Sequence, residues 1–201
     1  NMVEYLSQNK PYLKPHLHQY ICAEKIQELF QWSNHVLLNA MCRTGKTFIA
    51  GYLISQHKYK RVLLITPRPT STKESYDALL KNYRNFTHFT TGVQSFTNDT
   101  DEIKLDYSIE YNFTVLSRQL LADRHKTIDY NYFDLVILDE THKMCSTNML
   151  NEIQKMSCKI LNMTATSNRV ERLMNIPQEH IIRYGMDAVY EYSDGNLEYF
   201  Y

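Results

Sequence analysis

Gly45, Lys46 and Thr47 close the segment Ala40-Met41-Cys42-Arg43-Thr44-Gly45-Lys46-Thr47, which lies between an apolar run, His35 to Asn39, and a helix-like stretch, Phe48 to Ile54. A strand that feeds a tight loop opening a helix aims backbone N–H groups and the positive end of the helix dipole at one spot, and a polyphosphate fits there. Gly45 lets the main chain approach phosphate oxygens, Lys46 can reach the β and γ phosphates, and the Thr47 hydroxyl can ligate Mg²⁺. Arg43 and Thr44 complete the residues expected to face the nucleotide. Ala40 stands where such loops carry their first glycine, and a positive φ would be costly there.

A second chemical signal comes later in the chain, in Leu135-Val136-Ile137-Leu138-Asp139-Glu140-Thr141-His142. Four consecutive aliphatic residues read as a strand buried on both faces, as in a parallel sheet. Ligands of open α/β sheets bind outside the carboxyl ends of the strands, so Asp139 and Glu140 are expected on the same edge as the phosphate loop. Two adjacent carboxylates can divide the work: Asp139 holds Mg²⁺ and Glu140 orients and deprotonates an attacking water. The competing reading, a solvated acidic turn after a core strand, has no use for the loop upstream.

These segments together resemble superfamily 2 helicases and translocases. The A-x-x-x-x-G-K-T loop, the tetrad Asp139-Glu140-Thr141-His142 and Thr164-Ala165-Thr166 are similar to that family's motifs I, II and III, in the same order. Leu13-Lys14-Pro15-His16-Leu17-His18-Gln19 is similar to its adenine-recognition segment, with Lys14 where arginine is common and a stretched spacing to Gln19. Thr66-Pro67-Arg68-Pro69-Thr70 resembles motif Ia, and Val115 to Leu120 resembles a segment that touches the nucleic-acid backbone. The resemblance spans residues 13 to 197 and implies a RecA-like P-loop domain that binds ATP and Mg²⁺. It further implies His142 as a polar link from motif II, Thr164 and Thr166 as coupling residues, and Gln19 as the adenine reader. An exposed histidine, strand-end threonines and a glutamine on a solvated helix face are the competing readings. Arg68, Ser71, Thr72, Gly92, Ser117 and Gln119 are the candidates for the backbone of a DNA or RNA strand, which needs donors and carries no sequence code.

The elements that must position these groups alternate. Helical spacing covers Leu17 to Phe30, within an N-terminal helix over about 16–31, and Trp32 just beyond reads as a core or edge plug. Strands are expected at 35–39, 61–66, 86–91, 113–116, 135–138 and 159–163, with helices to about 57 and over 71–84. Repeated strand–helix–strand units mean a three-layer α/β domain, a parallel sheet with helices on both faces. The polar, acidic stretch Thr97 to Tyr111 reads as a surface insertion. We divide the chain into a RecA-like domain, 1–180, and a β-rich segment, 181–201, whose Asp194-Gly195-Asn196-Leu197 resembles a family segment leading toward the second motor domain.

The chain has 201 residues, 43% of them hydrophobic, which suits one α/β unit with a sizeable core. Lys plus Arg and Asp plus Glu both number 22, so no bulk basic field advertises nucleic acid, though a neutral whole can carry local backbone contacts. Cysteines at 22, 42, 145 and 158 lack zinc-site spacing, no apolar run is long enough to span a membrane, and the expectation is an intracellular protein, in cytoplasm, nucleus or viral factory, that is not secreted. Cys42, inside an anion-binding loop beside Arg43, is expected to be a reactive thiol that bound nucleotide protects.

The reading that follows is the N-terminal motor domain of an ATP-dependent nucleic-acid helicase or translocase. A second RecA-like domain of the same longer chain would supply an arginine finger, without which hydrolysis is slow. Two alternatives stay open: the motor subunit of a nuclease-coupled system, such as a restriction-type translocase or terminase-like ATPase, and a nucleic-acid-binding module that has lost turnover.

Overall fold

This computed structural model describes residues 9–40, 45–86, 88–89, 92–96, 105–124, 128–140, 153, 156–165 and 176–184. The described helices are α1 (Leu17–Phe30), α2 (Lys46–Gln56), α3 (Pro69–Asn82) and α4 (Arg118–Arg124). The strands are β1 (His35–Ala40), β2 (Arg61–Thr66), β3 (Val93–Phe96), β4 (Asn112–Ser117), β5 (Leu135–Asp139), β6 (Lys159–Thr164) and β7 (Ile181–Tyr184). All seven lie in one sheet of order β3-β4-β2-β5-β6-β1-β7, and every pairing is parallel. Parallel strands place all their carboxyl ends on one edge, which is what brings distant chain segments to one rim.

Alternation along the strands builds two cores. Val62 and Leu64 of β2, with Leu135 and Ile137 of β5 and Val36 and Leu38 of β1, face the layer of α1, α2 and α3. Leu63, Ile65, Val136, Leu138 and Leu37 face the opposite layer, with Leu120 and Leu121 of α4 and the aromatics Tyr130 and Phe133. A strand covered on both sides needs aliphatic residues at successive positions, and this is why Leu135 to Leu138 carry no polar side chain. At the amino edge the Asp134 carboxylate accepts from the backbone N–H of Lys60 and Arg61 at 3.2 and 3.1 Å, tying the starts of β2 and β5 together.

Two expectations require correction. No strand is found among the described residues of 86–91: Arg84–Phe86 is a 3₁₀ turn, the N–H of Phe89 donates to the Phe86 carbonyl at 3.0 Å, and that of Gly92 to Phe89 at 3.1 Å. Phe86 and Phe89 are both buried, an i, i+3 spacing that belongs to consecutive turns and mimics a short apolar strand. The strand follows instead, at Val93, whose N–H donates to the Asp77 carboxylate of α3 at 3.2 Å. Trp32 plugs nothing, being 80% exposed. Phe30 is the last residue of α1 to reach the core, and two positions further along a helix points to the far side.

Helix α3 runs over 69–82 where 71–84 is expected, because Pro69 occupies the first helical turn, where its missing N–H costs nothing. Residues 181–184 form β7, an edge strand paired with β1, while 185–201, with Asp194 to Leu197, lie outside the described residues. The part of the acidic insertion over 97–104 lies outside them as well. Among the described residues no helix is long and apolar enough to cross a membrane.

Candidate nucleotide site

Strand β1 ends at Ala40 and helix α2 begins at Lys46, with Gly45 as its N-cap at φ +77° and ψ +43°. That left-handed backbone suits glycine, and a Cβ there would also push aside the end of the Gln19 side chain. The Lys46 ammonium folds back and donates to the Ala40 carbonyl at 3.3 Å, holding the cation over the mouth of the loop. Arg43 and Thr44, and with them Cys42, lie outside the described residues.

Across the rim, β5 delivers Asp139 and Glu140. Glu140 adopts φ +55°, an uncommon conformation for a residue with a Cβ, which turns the chain sharply as it leaves the sheet. Asp139 is held above the ordinary carboxylate range, chiefly by burial and then by the charge of Glu140, while Lys46 and the Thr66 hydroxyl act in the opposite sense. Thr66, fully buried at the end of β2, donates to the Asp139 carboxylate at 3.5 Å, lies 3.3 Å from the Thr72 hydroxyl, and accepts from the Arg68 N–H at 3.2 Å. Lys46, Thr47, Asp139, Glu140 and Thr66 line one cavity of about 200 Å³. Two segments separated by more than ninety residues of sequence therefore meet where parallel-strand geometry says they should.

The remaining candidates divide. Arg68, Ser71 and Thr72 line this same cavity, at the first turn of α3, and so stand beside Lys46 and Thr47. Ser117 ends β4 on the same edge, but its hydroxyl accepts from the Leu120 N–H at 3.0 Å and serves α4; Gln119 beside it is exposed. Gly92, at φ +70°, precedes β3, level with the start of β4, and so sits at the amino edge, apart from the others. The turns that replace the expected strand put it there. Gln19 is buried, not on a solvated face: its carbonyl accepts from the His16 N–H at 3.0 Å in a capping box, and its amide nitrogen lies against Gly45. Thr164 is fully buried at the end of β6, opposite Asn39 of β1. His142 and Thr166 lie outside the described residues.

Sequence reasoning missed Thr66, Ser75 and Tyr76 as parts of the cavity wall. Helical spacing was the available signal, since Thr72 and Tyr76 at i, i+4 and Ser71 and Ser75 at the same separation line one face of α3. The donor set is hydroxyl and carboxylate oxygen, and no cluster of three or more His, Cys, Asp or Glu occurs among the described residues. That suits Mg²⁺, which takes one or two carboxylates and completes its shell with waters and phosphate oxygens. Half-buried and with its pKa raised, Asp139 is the residue most in want of such a partner.

Against known structures, the chain is similar to the helicase domain of Pyrococcus furiosus Hef (TM-score 0.59, 18% identity), covering 85% of this chain and 38% of that one. It is similar to the SWI2/SNF2 ATPase core of Sulfolobus solfataricus, solved in complex with dsDNA (TM-score 0.60, 14% identity, 92% and 39% covered). It is also similar to the UvsW helicase of bacteriophage T4 (TM-score 0.60, 16% identity, 90% and 65% covered). At these identities the likeness is one of fold, and the chain spans between 38% and 65% of the length of these three proteins. No curated protein sequence matches significantly. A family profile described as type III restriction enzyme, res subunit, matches residues 12–169. With a seven-stranded parallel sheet, Lys46 and Thr47 beside an Asp-Glu pair, and that match over most of its length, the chain belongs to this family, a helicase-type ATPase domain of superfamily 2.

Proposed function

We propose that this domain binds ATP with Mg²⁺ in the cavity between α2 and β5 and, with a second RecA-like domain, drives a helicase or translocase along a DNA or RNA strand. The observation that carries the reading is the meeting of Lys46, Thr47 and the Asp139–Glu140 pair around one space. Lys46 swings from the Ala40 carbonyl to the β and γ phosphates, exchanging a neutral acceptor for a charged one. Thr47 and Asp139 hold the metal, which when bound neutralises charge on the phosphate oxygens. Glu140 takes the proton of the attacking water, and its left-handed backbone fixes where that carboxylate points. Gln19, packed against Gly45, reads the adenine edge with the amide nitrogen that its capping role leaves over.

Arg68, Ser71, Thr72 and Gln119 are proposed contacts to the strand, Thr164 and Thr166 couple the two events, and His142 links motif II to the second domain. Because Thr66 bonds both Asp139 and Thr72, a shift of the Asp139 carboxylate would reach the first turn of α3 through two hydroxyl contacts. In the intact protein, Glu140→Gln is expected to lower ATP turnover by about 100-fold or more while nucleotide still binds, and Lys46→Ala to lose binding. Wild-type turnover in Glu140→Gln, assayed with and without single- and double-stranded DNA and RNA, would sink the proposal.

One observation favours a second reading, a translocase coupled to a nuclease: the matching family profile is described by a restriction enzyme subunit. Displacement of a third strand from a triplex, without separation of a simple forked duplex, would support that version over a helicase.

A further inference from the structure

Tyr76 is a buried side chain of the cavity wall whose polar atom is unused among the described residues. Its ring is buried to 1% exposure and packs against Phe113, with centroids 4.9 Å apart. Its hydroxyl is buried and has no hydrogen-bond partner among the described residues. Leaving such a group unpaired is costly, and a phenylalanine would fill the same space without that cost. Tyr76 lines the cavity with Lys46, Thr47, Thr66 and Asp139, and the charge of Asp139 bears on it.

Resting on the nucleotide reading above, we propose that Tyr76 is a positioning residue of the loaded site: its hydroxyl is held dry and unpaired so that it can donate to the oxygen shell that fills the cavity beside Asp139. Burial keeps the phenol protonated, so the group serves as a donor and never as a base. Its partner would be one of the oxygens placed there with Mg²⁺, a water or a phosphate oxygen, since the hydroxyl bonds neither Asp139 nor any other described residue. Thr66 and Tyr76 then stand on β2 and α3 as two donors addressed to one metal-bound cluster. Position 76 lies one turn beyond Thr72, so the contact also ties the second turn of α3 to the nucleotide state.

Tyr76→Phe removes the oxygen and keeps the ring. In the intact protein, the affinity for ATP measured by titration calorimetry with Mg²⁺ is expected to fall about tenfold, the order of one hydrogen bond to a charged cluster. The affinity measured in EDTA should not change, and the melting temperature without ligand should stay level or rise. Equal Mg²⁺-ATP affinity in the two proteins would overturn the inference, whatever the melting temperature does. An equal loss in EDTA would overturn it too, since that marks disturbed packing of the loop. If the unmodified protein fails to bind Mg²⁺-ATP at all, the nucleotide reading itself has failed, and the two outcomes are distinct.

Discussion

Asp139 is a carboxylate placed where it does not rest easily. Burial first, then the neighbouring Glu140, raise its pKa above the ordinary value of 3.8, and neither Lys46 nor Thr66 offsets them fully. A carboxyl whose folded pKa is raised favours the fold while protonated, and that advantage is lost as pH climbs from the unfolded value through the folded one. At neutral pH this carboxylate is therefore a weak point of the molecule, which a divalent cation, on the proposed reading, would relieve. Asp139→Asn keeps the shape and removes the charge, so the ligand-free melting temperature should rise, by about 2 to 4 °C for each kcal/mol recovered. The same variant should lose the additional stabilisation that Mg²⁺-ATP gives the wild type. A lower ligand-free melting temperature in Asp139→Asn, read by calorimetry, would mean that the carboxylate is already satisfied. Sequence alone made Asp139 visible through four aliphatic neighbours, but it could not make Thr66 visible, because a threonine at a strand end is ordinary until a carboxylate appears 3.5 Å away.

Among the elements, the strands declared themselves and the connections did not. Leu63 to Ile65 and Leu135 to Leu138 read as strands because their apolar runs are short and end in turn or charged residues, whereas helix α2 also buries every position from Ile49 to Ser55 over a longer stretch. Phe86 and Phe89 admit two readings, and local turns won over the expected strand because Asp77 of α3 sets where β3 begins. Nor did composition reveal how β1 is joined to its neighbours. The Asn162 amide of β6 donates to the His35 imidazole of β1 across 2.7 Å, and His180, just before β7, lies near enough for its charge to act on the same ring. Burial, and then His180, lower the His35 pKa from 6.5 to about 4. The imidazole stays neutral in the fold, as an acceptor from an amide must. Stability is complete above pH 6.5 and falls as the pH drops toward 4, where the unfolded chain takes up a proton that the folded one refuses. The loss amounts to roughly 3 kcal/mol by linkage at about 1.4 kcal/mol per pKa unit. Urea midpoints at pH 7.5 and 4.5 should therefore converge in His35→Gln relative to the wild type. An unchanged difference would place the acid sensitivity elsewhere.

For the whole molecule, the neutral net charge and the parallel sheet leave phosphate handling to a few local groups. Among the described residues lining the cavity there are two cations, Lys46 and Arg68, facing the two carboxylates Asp139 and Glu140. A γ-phosphoryl group in transit spreads negative charge over three oxygens, and a lining that is itself balanced has little positive charge to spare for it. The sheet runs from β3 on one side to β7 on the other, and the cavity lies at the carboxyl edge of its strands. Similar folds in proteins of which this chain spans between 38% and 65% suit the proposal of a second RecA-like domain in that place. The 201-residue chain alone is then expected to bind Mg²⁺-ATP but to turn it over slowly, and joining it to a second domain should raise kcat by about 10³-fold or more, the range an added arginine contributes. Nucleic acid should stimulate only the joined form, because domain closure is what couples strand contacts to the missing charge. Steady-state phosphate release from the isolated and the joined proteins, each with and without a DNA or RNA strand, measures both effects. Equal rates in the two forms would show that the cavity of this domain is complete as it stands, and that Lys46 and Arg68 suffice for the chemistry.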